Sequence, residues 1–530
     1  MFLGTYIQSF LVCTTVFSKS ATTMAPLNPS VELKHVLLCS VPLLIAPVVI
    51  LLYFQAVGNK KKAIRLPPSP LRLPIIGHLH LMVNQPHRSL QKLARSLGPV
   101  VQLQLGGVAA VVVSSPEAAK EVLKTHDVHC CSRPSSPGAN LITYGQQDIA
   151  FSPYNESWRE RRKLFVSELV SSQRVQSFAH ALEAQVGDLI QSLSRYPPSE
   201  PVNLNETLFT LIDGFIGTVA FGSMNGARLM KYAKFQQVFS EAMVALSAFS
   251  AQDFFPSSPV SRWFDKLVGL EARYRRIFME LDAYFEMVLS QHMDPGRVKP
   301  EKDDLVDVLI NLWKEQAITK DHLKALIMDA FIGGTTTSSV TLLWAMSELI
   351  KNPRVMKKAQ TEIRDMVADK QSVQVDDLSK LKYLKMVVKE TLRLHPPAPL
   401  LVPRETMEHV KVLGYDIPPK TRIFVNVWAM GRDPACWQKP EEFYPERFEN
   451  TSIDFHGSHH ELLPFGAGRR ICPAIHMGAT IVEFTLASLL HSLDWELPRG
   501  MTSQDVSMEG TGRQVFCRKT PLYLVPSSYK

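Results

Sequence analysis

The nonapeptide Pro464–Cys472, "PFGAGRRIC", is the feature that most restricts how this chain of 530 residues can fold. Its glycines, Gly466 and Gly468, permit backbone conformations closed to other residues and allow a bulky, flat group to approach closely. Pro473 suits the first turn of a helix, and the residues that follow have a helical pattern. The sequence therefore predicts that Cys472 lies at a helix N-terminus, where the dipole and free N–H groups stabilise a thiolate.

Three roles are compatible with Cys472: a buried core thiol, which is the usual fate of a cysteine, a catalytic nucleophile, or a metal ligand. The glycines and Arg470 favour the third. A loop-borne thiolate with room for a flat group suits the proximal side of an iron porphyrin. Arg470 would then stabilise the thiolate or hold an anionic group of the ligand.

Composition excludes several other classes of protein. The seven cysteines form no C-x-x-C pair, so we expect neither a disulfide framework nor a cysteine-rich zinc site. The hydrophobic content of 45% and charged content of 20% are typical of a globular chain with a large core. The net charge is +8, but the basic residues are spread along the chain. We therefore expect no nucleic-acid partner.

The segment Val36–Val57 carries no charged residue and is long enough to cross a bilayer as a helix. Lys60–Lys62 follow it and predict that the remaining chain is cytosolic. We expect residues 1–35 to be an N-terminal extension, with Met24 as an alternative start. Residues 36–58 would be a transmembrane anchor, 59–80 a basic and proline-rich hinge, and 81–530 one catalytic domain.

The catalytic domain should be mainly α with smaller β sheets. Residues 98–115 have β-branched runs separated by Gly-Gly, which predicts a hairpin, and residues 409–429 form a second β-rich part. Helical patterns dominate from about 116 to 397. No solenoid repeat is visible, so one large α+β domain is the simplest interpretation.

The stretch "PFGAGRRICPA" resembles the haem-binding loop F-x-x-G-x-R-x-C-x-G of the cytochrome P450 superfamily. Phe465, Gly468, Arg470 and Cys472 match, and Ala474 stands where glycine is usual. The resemblance implies the cytochrome P450 fold and a haem cofactor. It also implies that Cys472 is the iron ligand, that the glycines clear space for the haem and that Arg470 faces a propionate.

Other motifs of this family follow in the expected order. "SWRERRK" places Trp158 and Arg162 on one face of a helix and resembles the family's propionate-binding W-x-x-x-R. "KETLRLHPPAP" contains Glu390 and Arg393, an E-x-x-R pair, and "FYPERF" contains Arg447. The resemblance implies a Glu-Arg-Arg network that holds the cysteine loop in place.

The stretch "MDAFIGGTTTSSVTLLWAMSELI" resembles the family's distal helix, with the pattern [AG]-G-x-[DE]-T. Gly333, Gly334 and Thr337 match, and the resemblance implies a local bulge that accommodates O2 beside the Thr337 hydroxyl. Thr336 stands where the family has an acid. Water, or the hydroxyls of Thr335 and Ser338, would then have to supply protons.

Five longer stretches resemble plant enzymes of specialised metabolism, in particular the grass oxime monooxygenases of cyanogenic glucoside formation: 127–138, 251–258, 304–312, 384–407 and 518–530. That likeness implies conversion of 4-hydroxyphenylacetaldehyde oxime, through a nitrile, to a hydroxynitrile. Another plant terpenoid, phenolic or indole substrate is the alternative. By family position, substrate contacts are expected from 134–147, 330–334, 398–402 and 512–515, with Arg513 or Gln514 as a polar anchor.

The chain has no dinucleotide-binding motif, so NADPH-derived electrons must come from a partner reductase. The basic cluster Arg159–Lys163 is a candidate docking surface. The uncharged segment and the family together predict a single-pass protein of the endoplasmic reticulum membrane, in contact with lipid. Two further hypotheses remain: a haem-thiolate dehydratase or isomerase that does not use O2, and a non-catalytic haem or sterol carrier.

Overall fold

The computed structural model describes residues 64–222, 227–247, 250–297, 302–368, 370–512 and 514–529. By its contacts the chain divides into two compact units, Met1–Leu66 and Pro67–Lys530. Of the first unit only residues 64–66 are described. The predicted N-terminal extension and transmembrane anchor lie outside the described residues.

Helices make up most of the second unit, as the sequence predicts. The α-helices of the described residues are α1 (Pro86–Leu97), α2 (Pro116–Lys120), α3 (Asp127–Cys130), α4 (Pro137–Ile142), α5 (Glu156–Leu164), α6 (Ser172–Ser177), α7 (Ala179–Ser194), α8 (Leu204–Phe221), α9 (Ala227–Ser247), α10 (Ala251–Phe254), α11 (Pro259–Leu267), α12 (Leu270–His292), α13 (Leu305–Lys314), α14 (Lys320–Lys351), α15 (Pro353–Val367), α16 (Lys382–Leu394), α17 (Val427–Met430) and α18 (Ile475–Ser492). Short 3₁₀ segments (Leu79–Met82, Val375–Ser379, Pro445–Phe448, Gly468–Arg470) and π-helical segments (Glu121–Thr125, Phe165–Leu169) connect some of them.

Three small sheets complete the fold. The described strands are β1 (Val100–Leu105), β2 (Val108–Val113), β3 (Val202–Asn203), β4 (Arg404–Glu405), β5 (Val410–Val412), β6 (Tyr415–Ile417), β7 (Arg422–Val425), β8 (Leu493–Glu496) and β9 (Tyr523–Ser528). Their orders are β1-β2-β7-β4, β3-β9-β8 and β5-β6. Both predicted β regions are confirmed. The hairpin β1–β2 turns at Gly106, where φ is +60°.

The proline-rich segment is part of the second unit's surface. The carbonyl of Pro68 accepts the Gln102 N–H at 2.9 Å, and Gly77 forms an antiparallel bridge with Leu105. Residues 67–80 therefore lie along β1. The sequence suggested a stiff spacer here, and the backbone hydrogen bonds show how its position on the domain is fixed.

Helix α14 is the longest described helix and the centre of the core. The Thr319 hydroxyl caps its first turn by accepting the His322 N–H, and Pro353 prevents its continuation beyond Lys351. The helix is apolar enough to cross a bilayer, but 67% of its apolar window is buried inside the protein. It packs along α8. At the crossing a Cβ on Gly334 would lie 2.7 Å from Ile216.

A buried ion network fixes the connection that leads to the cysteine loop. Glu390 and Arg393 of α16 form a bidentate pair with N–O distances of 2.7 and 2.8 Å. Arg447 donates to the same carboxylate at 2.9 Å, as does the Tyr444 N–H at 2.8 Å. Further donors of both arginines bind backbone carbonyls between Gly431 and Glu442. The structure thus brings together all three residues of the predicted network.

The network reaches the cysteine loop through the segment that follows it. The ring of Phe455 packs against Phe465, with centroids 5.3 Å apart. A Cβ on Gly457 would lie 2.7 Å from Ile471, so this turn is seated closely against the loop. A displacement of residues 438–447 would therefore also move the residues that flank Cys472.

We expect Glu390→Gln to lower the free energy of unfolding by roughly 3–5 kcal/mol, because it leaves two buried guanidiniums without their counter-ion. Glu442→Gln is the matched control, since its side chain forms only an exposed pair with Lys439 and such pairs contribute about 0–1 kcal/mol. Urea unfolding followed by circular dichroism measures both. Equal losses in the two variants would contradict a supporting role for the buried network.

Candidate functional site

A cavity of about 280 Å³, here called the main cavity, lies between the cysteine loop and α14. Most of its surface is apolar. It is lined by Arg133, Ile149, Ala150, Phe151, Arg162, Met243, Leu246, Ile332, Gly333, Thr337, Ser338, Thr341, Val388, Leu392, Pro397, Ala398, Leu401, Val402, Arg404, Pro464, Phe465, Gly466, Arg470, Ile471, Cys472, Pro473, Gly478, Ala479, Val482, Gln514 and Val515.

Cys472 is the one described cysteine that lines this cavity. Its N–H donates to the Phe465 carbonyl at 2.9 Å, which closes the loop. Burial raises the pKa of the Cys472 thiol, while the Ala474 N–H and the cation of Arg162 act in the opposite direction. Local donors thus offset only part of the cost of a buried thiolate. A bound metal cation would remove the rest, because a coordinating thiol is deprotonated outright.

The two loop glycines have different neighbours. Gly466 lines the main cavity, and a Cβ there would meet only Leu401 at 3.7 Å and the Arg470 carbonyl at 4.0 Å. Gly468 lies away from the cavity with φ at +68°, and a Cβ would lie 2.2 Å from the Leu123 carbonyl. The requirement for glycine at 468 therefore comes from a close backbone approach, not from clearance for a cofactor.

Arg470 of the cysteine loop and Arg162 of α5 both reach the main cavity. Arg470 donates to the carbonyls of Cys131, Ile149 and Ser152 at 2.8, 3.0 and 2.6 Å. Burial lowers the pKa of Arg470 to about 9. Arg162 donates to the Ile471 carbonyl, and burial lowers its pKa as well.

Two further cavity arginines, Arg133 and Arg404, were not predicted from the sequence. Arg133 donates to the carbonyls of Ala150, Val402 and Pro403. Each stands beside a proline, in "SRP" and "VPRE", and this local context does not distinguish a buried guanidinium from an exposed one.

The charges of these four arginines decide what the cavity can hold. Arg404 pairs with Asp127 at 2.8 Å, whereas Arg133, Arg162 and Arg470 form no ion pair with any described residue. Buried cations without counter-ions are costly. The two propionates of a haem and the Cys472 thiolate would supply three negative charges beside these three cations. The donor set therefore fits a haem.

Trp158 anchors the same arginines without lining the cavity. Its indole N–H donates to the Ile149 carbonyl at 3.0 Å. The guanidinium of Arg470 lies 3.8 Å above the ring, and that of Arg162 lies 5.6 Å from its centroid. The predicted pairing of Trp158 with Arg162 on one face of α5 is present, and it orients both cations.

On the opposite wall, α14 presents hydroxyl groups to the cavity. The Thr337 hydroxyl donates to the Gly333 carbonyl at 2.5 Å, and both residues line the cavity, as does the buried Ser338. The helix is continuous here rather than visibly interrupted. Thr336 lies off the lining, and Gly334 faces α8 rather than the cavity. Gly333 is thus the glycine that leaves open space.

The segment that holds Arg470 is itself tied to α14 by a buried acid. Asp329 accepts the N–H groups of Ile149 and Ala150 at 2.6 and 3.3 Å. Burial, together with the nearby carboxyl of Asp148, raises the pKa of Asp329. This contact was not predicted, because an aspartate one turn before the glycines reads as an ordinary helix residue.

The segments expected to contact substrate surround two adjacent cavities. Residues from 330–334, 398–402 and 512–515 line the main cavity. Residues from 134–147 instead line a second cavity of about 140 Å³, the outer cavity. The outer cavity is lined by Met82, Pro86, Arg133, Pro134, Ser135, Ser136, Ala139, Phe151, Leu246, Asp253, Pro399, Leu400, Leu401, Val402, Pro403, Arg422, Phe424, Gly512 and Gln514. Gln514 borders both, and Arg513 lies outside the described residues.

A separate buried cluster carries metal-ligating residue types: His292, Asp304 and Asp307. Arg297 already pairs with both carboxylates, at 2.8 Å to Asp304, and His292 contacts Asp304 at 3.0 Å. The guanidinium already occupies both carboxylates of this cluster, so the cavity beside Cys472 is the better candidate for a cofactor.

Comparison with known proteins agrees with this geometry. The family model for cytochrome P450 matches residues 67–525. This chain belongs to the cytochrome P450 family. A zebrafish cytochrome P450 solved with abiraterone has the same fold, with a TM-score of 0.69 over 84% of this chain and 100% of that one, at 24% identity.

Two curated plant relatives are closer in sequence. The chain is 52% identical to 4-hydroxyphenylacetaldehyde oxime monooxygenase of Sorghum bicolor, over 92% of this chain and 95% of that protein. It is 48% identical to 2-methylbutanal oxime monooxygenase of Manihot esculenta, over 91% and 95%. This cytochrome P450 is therefore a haem-thiolate monooxygenase of plant specialised metabolism, with electrons supplied from NADPH through a partner reductase.

We expect Cys472→Ala to abolish the thiolate-type spectrum of the reduced, CO-bound protein, because Cys472 supplies the sulfur beside the cavity. Cys436→Ala is the control, since Cys436 is also free and lies off the main cavity. Optical spectra of both variants, with haem content measured separately, check this. An unchanged spectrum in Cys472→Ala would refute the assignment.

Proposed function

We propose that this cytochrome P450 converts an aldoxime to a nitrile and then hydroxylates the nitrile to a hydroxynitrile. The observation that carries the proposal is the similarity, over nine-tenths of the chain, to two relatives that are both named oxime monooxygenases. The runner-up is hydroxylation of another plant metabolite. A largely apolar cavity with few polar groups is compatible with both.

Cys472 would ligate the haem iron, and Arg133, Arg162, Arg404 and Arg470 would hold the propionates. Phe465 and Gly466 would border the haem, while Trp158 keeps two of the arginines in position. When bound, the haem supplies both the activation of O2 and a metal centre for the oxime. The remaining roles belong to side chains of the chain.

The hydroxyls on α14 would orient the substrate. Ser338 is buried and lines the main cavity, and its hydroxyl has no hydrogen-bond partner among the residues that the structure describes. It can therefore bind the oxime hydroxyl without breaking another contact. The Thr337 hydroxyl can leave the Gly333 carbonyl and donate to a ligand. With Thr336 off the lining, these two hydroxyls and water would carry protons.

The reductase would dock beside the exposed part of α5. Within the predicted basic cluster Arg159–Lys163, Arg161 is buried against Ser152 and Ser157, and Arg162 faces the main cavity. Arg159 and Lys163 are exposed. The surface available to an acidic partner is therefore smaller than the sequence suggested.

The domain would also rest on the endoplasmic reticulum membrane, for which the sequence predicts residues 36–58 as an anchor. Helix α11 exposes Arg262 and Lys266 but buries two other polar residues, Ser261 and Asp265, the latter accepting the N–H groups of Ala251 and Gln252 at 2.8 and 3.0 Å. Its apolar residues Trp263 and Leu267 are instead 63% and 66% exposed. A helix with exposed large apolar side chains favours contact with an apolar surface such as lipid.

A second apolar segment lies close to α11. Leu71 and Ile75 are 96% and 83% exposed in the proline-rich segment. That segment pairs with β1 through Gly77, and the neighbouring Gly107 N–H donates to the Phe254 carbonyl of α10 at 2.8 Å. The hairpin turn between β1 and β2 thus joins both apolar segments, which supports one lipid-facing surface.

The reaction is tested by supplying aldoximes with reductase and NADPH, with and without O2, and measuring nitrile and hydroxynitrile separately. We expect nitrile to form both with and without O2, because dehydration consumes no O2. Hydroxynitrile should form only with O2. Heat-inactivated enzyme is the control. Absence of nitrile from every aldoxime, alongside hydroxylation of another metabolite, would support the runner-up.

Thr336→Asp separates the two steps in the same assay. The added acid should improve the coupling of NADPH use to hydroxynitrile, because general acids assist proton delivery, typically by about 10²–10⁴-fold where no other path exists. The gain should be much smaller here, since water and hydroxyls already offer a path, and nitrile formation should not change. Equal coupling and product ratios would mean that Thr336 is neutral.

Membrane contact is tested in protein lacking residues 1–58, mixed with phosphatidylcholine vesicles. We expect this protein to keep haem and to float with the vesicles, and Trp263→Ser with Leu267→Ser to release it. Met279→Ser is the control, since this methionine is as exposed but belongs to α12 and not to α11 or the proline-rich segment. Flotation unaffected by the double substitution would remove α11 from the proposed surface.

A further inference from the structure

The outer cavity has a cationic end at Arg422, the first residue of β7. Arg422 is 8% exposed and lines this cavity. Its Nη2 donates to the Asp253 carbonyl at 2.6 Å, and among the described residues neither Nη1 nor Nε, which the protein encloses, has a hydrogen-bond partner. A buried guanidinium with donors left over requires an acceptor.

The nearby carboxylates do not meet this requirement. Asp253 uses its side chain to accept the N–H and hydroxyl of Ser250, at 2.7 and 2.9 Å, and the hydroxyl of Ser136. Glu405 pairs with Lys420 at 3.0 Å. Neither forms an ion pair with Arg422 within the described part of the chain. Of the two unpaired donors of Arg422, Nη1 is thus the one available to a ligand.

The outer and main cavities are adjacent. Six residues line both of them: Arg133, Phe151, Leu246, Leu401, Val402 and Gln514. Four of these are apolar, so the boundary between the cavities suits a flat ring better than a charged group, which would lose its hydration there. A ligand long enough to occupy both cavities would place one end near Ser338 and the other near Arg422.

We propose that Arg422 forms an outer subsite that binds the hydroxyl oxygen of a phenolic substrate, while its reacting group occupies the main cavity. This inference rests on the proposed oxime chemistry and names its substrate class as a para-hydroxylated aryl aldoxime. An aliphatic oxime would leave the donors of Arg422 unpaired. The subsite therefore selects between the substrate types named by the two relatives.

The test compares 4-hydroxyphenylacetaldehyde oxime with 4-methylphenylacetaldehyde oxime, which is similar in size but has no acceptor oxygen. Optical titration of the full-length haem protein gives the dissociation constant of each. We expect about tenfold tighter binding of the hydroxylated oxime, as for a hydrogen bond to a charged donor. In Arg422→Met the two constants should become equal.

Arg364→Met is the matched control: this arginine also binds backbone carbonyls, together with Asp494, but lies off both cavities. It should keep the tenfold preference. Arg422→Lys, which retains the cation, should keep part of it and serves if Arg422→Met does not fold. Equal binding of both oximes by the wild-type protein, no binding of the hydroxylated oxime, or a preference that survives in Arg422→Met would overturn the subsite.

Turnover separates this inference from the proposed reaction. Conversion of the 4-methyl oxime to its nitrile, without any binding preference, would leave the reaction standing and remove the subsite. A tenfold preference that disappears in Arg422→Met, without conversion of any oxime, would leave the subsite standing and remove the reaction.

Discussion

The architecture around the main cavity depends on one electrostatic constraint, the burial of several guanidiniums beside a cysteine. Arg133, Arg162 and Arg470 are satisfied in this structure only by backbone carbonyls. Carbonyl dipoles offset part of the cost of burying a cation, and an anionic cofactor would offset the rest. The loop, α5 and the segment 149–152 are positioned around this requirement, because each supplies either a cation or the carbonyls that orient one.

Two buried carboxylates hold the segments around the main cavity in place. Asp329 of α14 accepts the backbone N–H groups of Ile149 and Ala150, so α14 and the segment that holds Arg470 are held together. Glu390 fixes the connection that carries Phe455 against Phe465. The two sides of the cavity are therefore held by separate acids, each with its own set of buried donors.

In the proposed arrangement, the main cavity holds the reacting groups and the outer cavity selects the substrate. The main cavity holds the sulfur, the four arginines and the hydroxyls of α14, and these groups suit the haem and the reacting end of a substrate. The outer cavity adds Arg422, contributed by a strand far from the cysteine loop in sequence. Relatives with similar haem sites can thus differ in substrate through residues that never approach the iron. Membrane contact would concern yet another surface, formed by α11 and the proline-rich segment.

The sequence alone determined the fold class, the β1–β2 hairpin, the second β region and the local motifs around Cys472, Glu390 and Thr337. Each of these depends on short-range spacing, which a linear pattern records directly. Tertiary structure alone decided that Gly333 rather than Gly334 faces the cavity, that Gly468 serves a backbone contact, and that Arg133, Arg404 and Arg422 are buried at the cavities. These outcomes depend on which face of an element meets a segment hundreds of residues away. A single sequence carries no signal for that, because an arginine beside a proline looks the same whether its guanidinium meets water or a buried cavity.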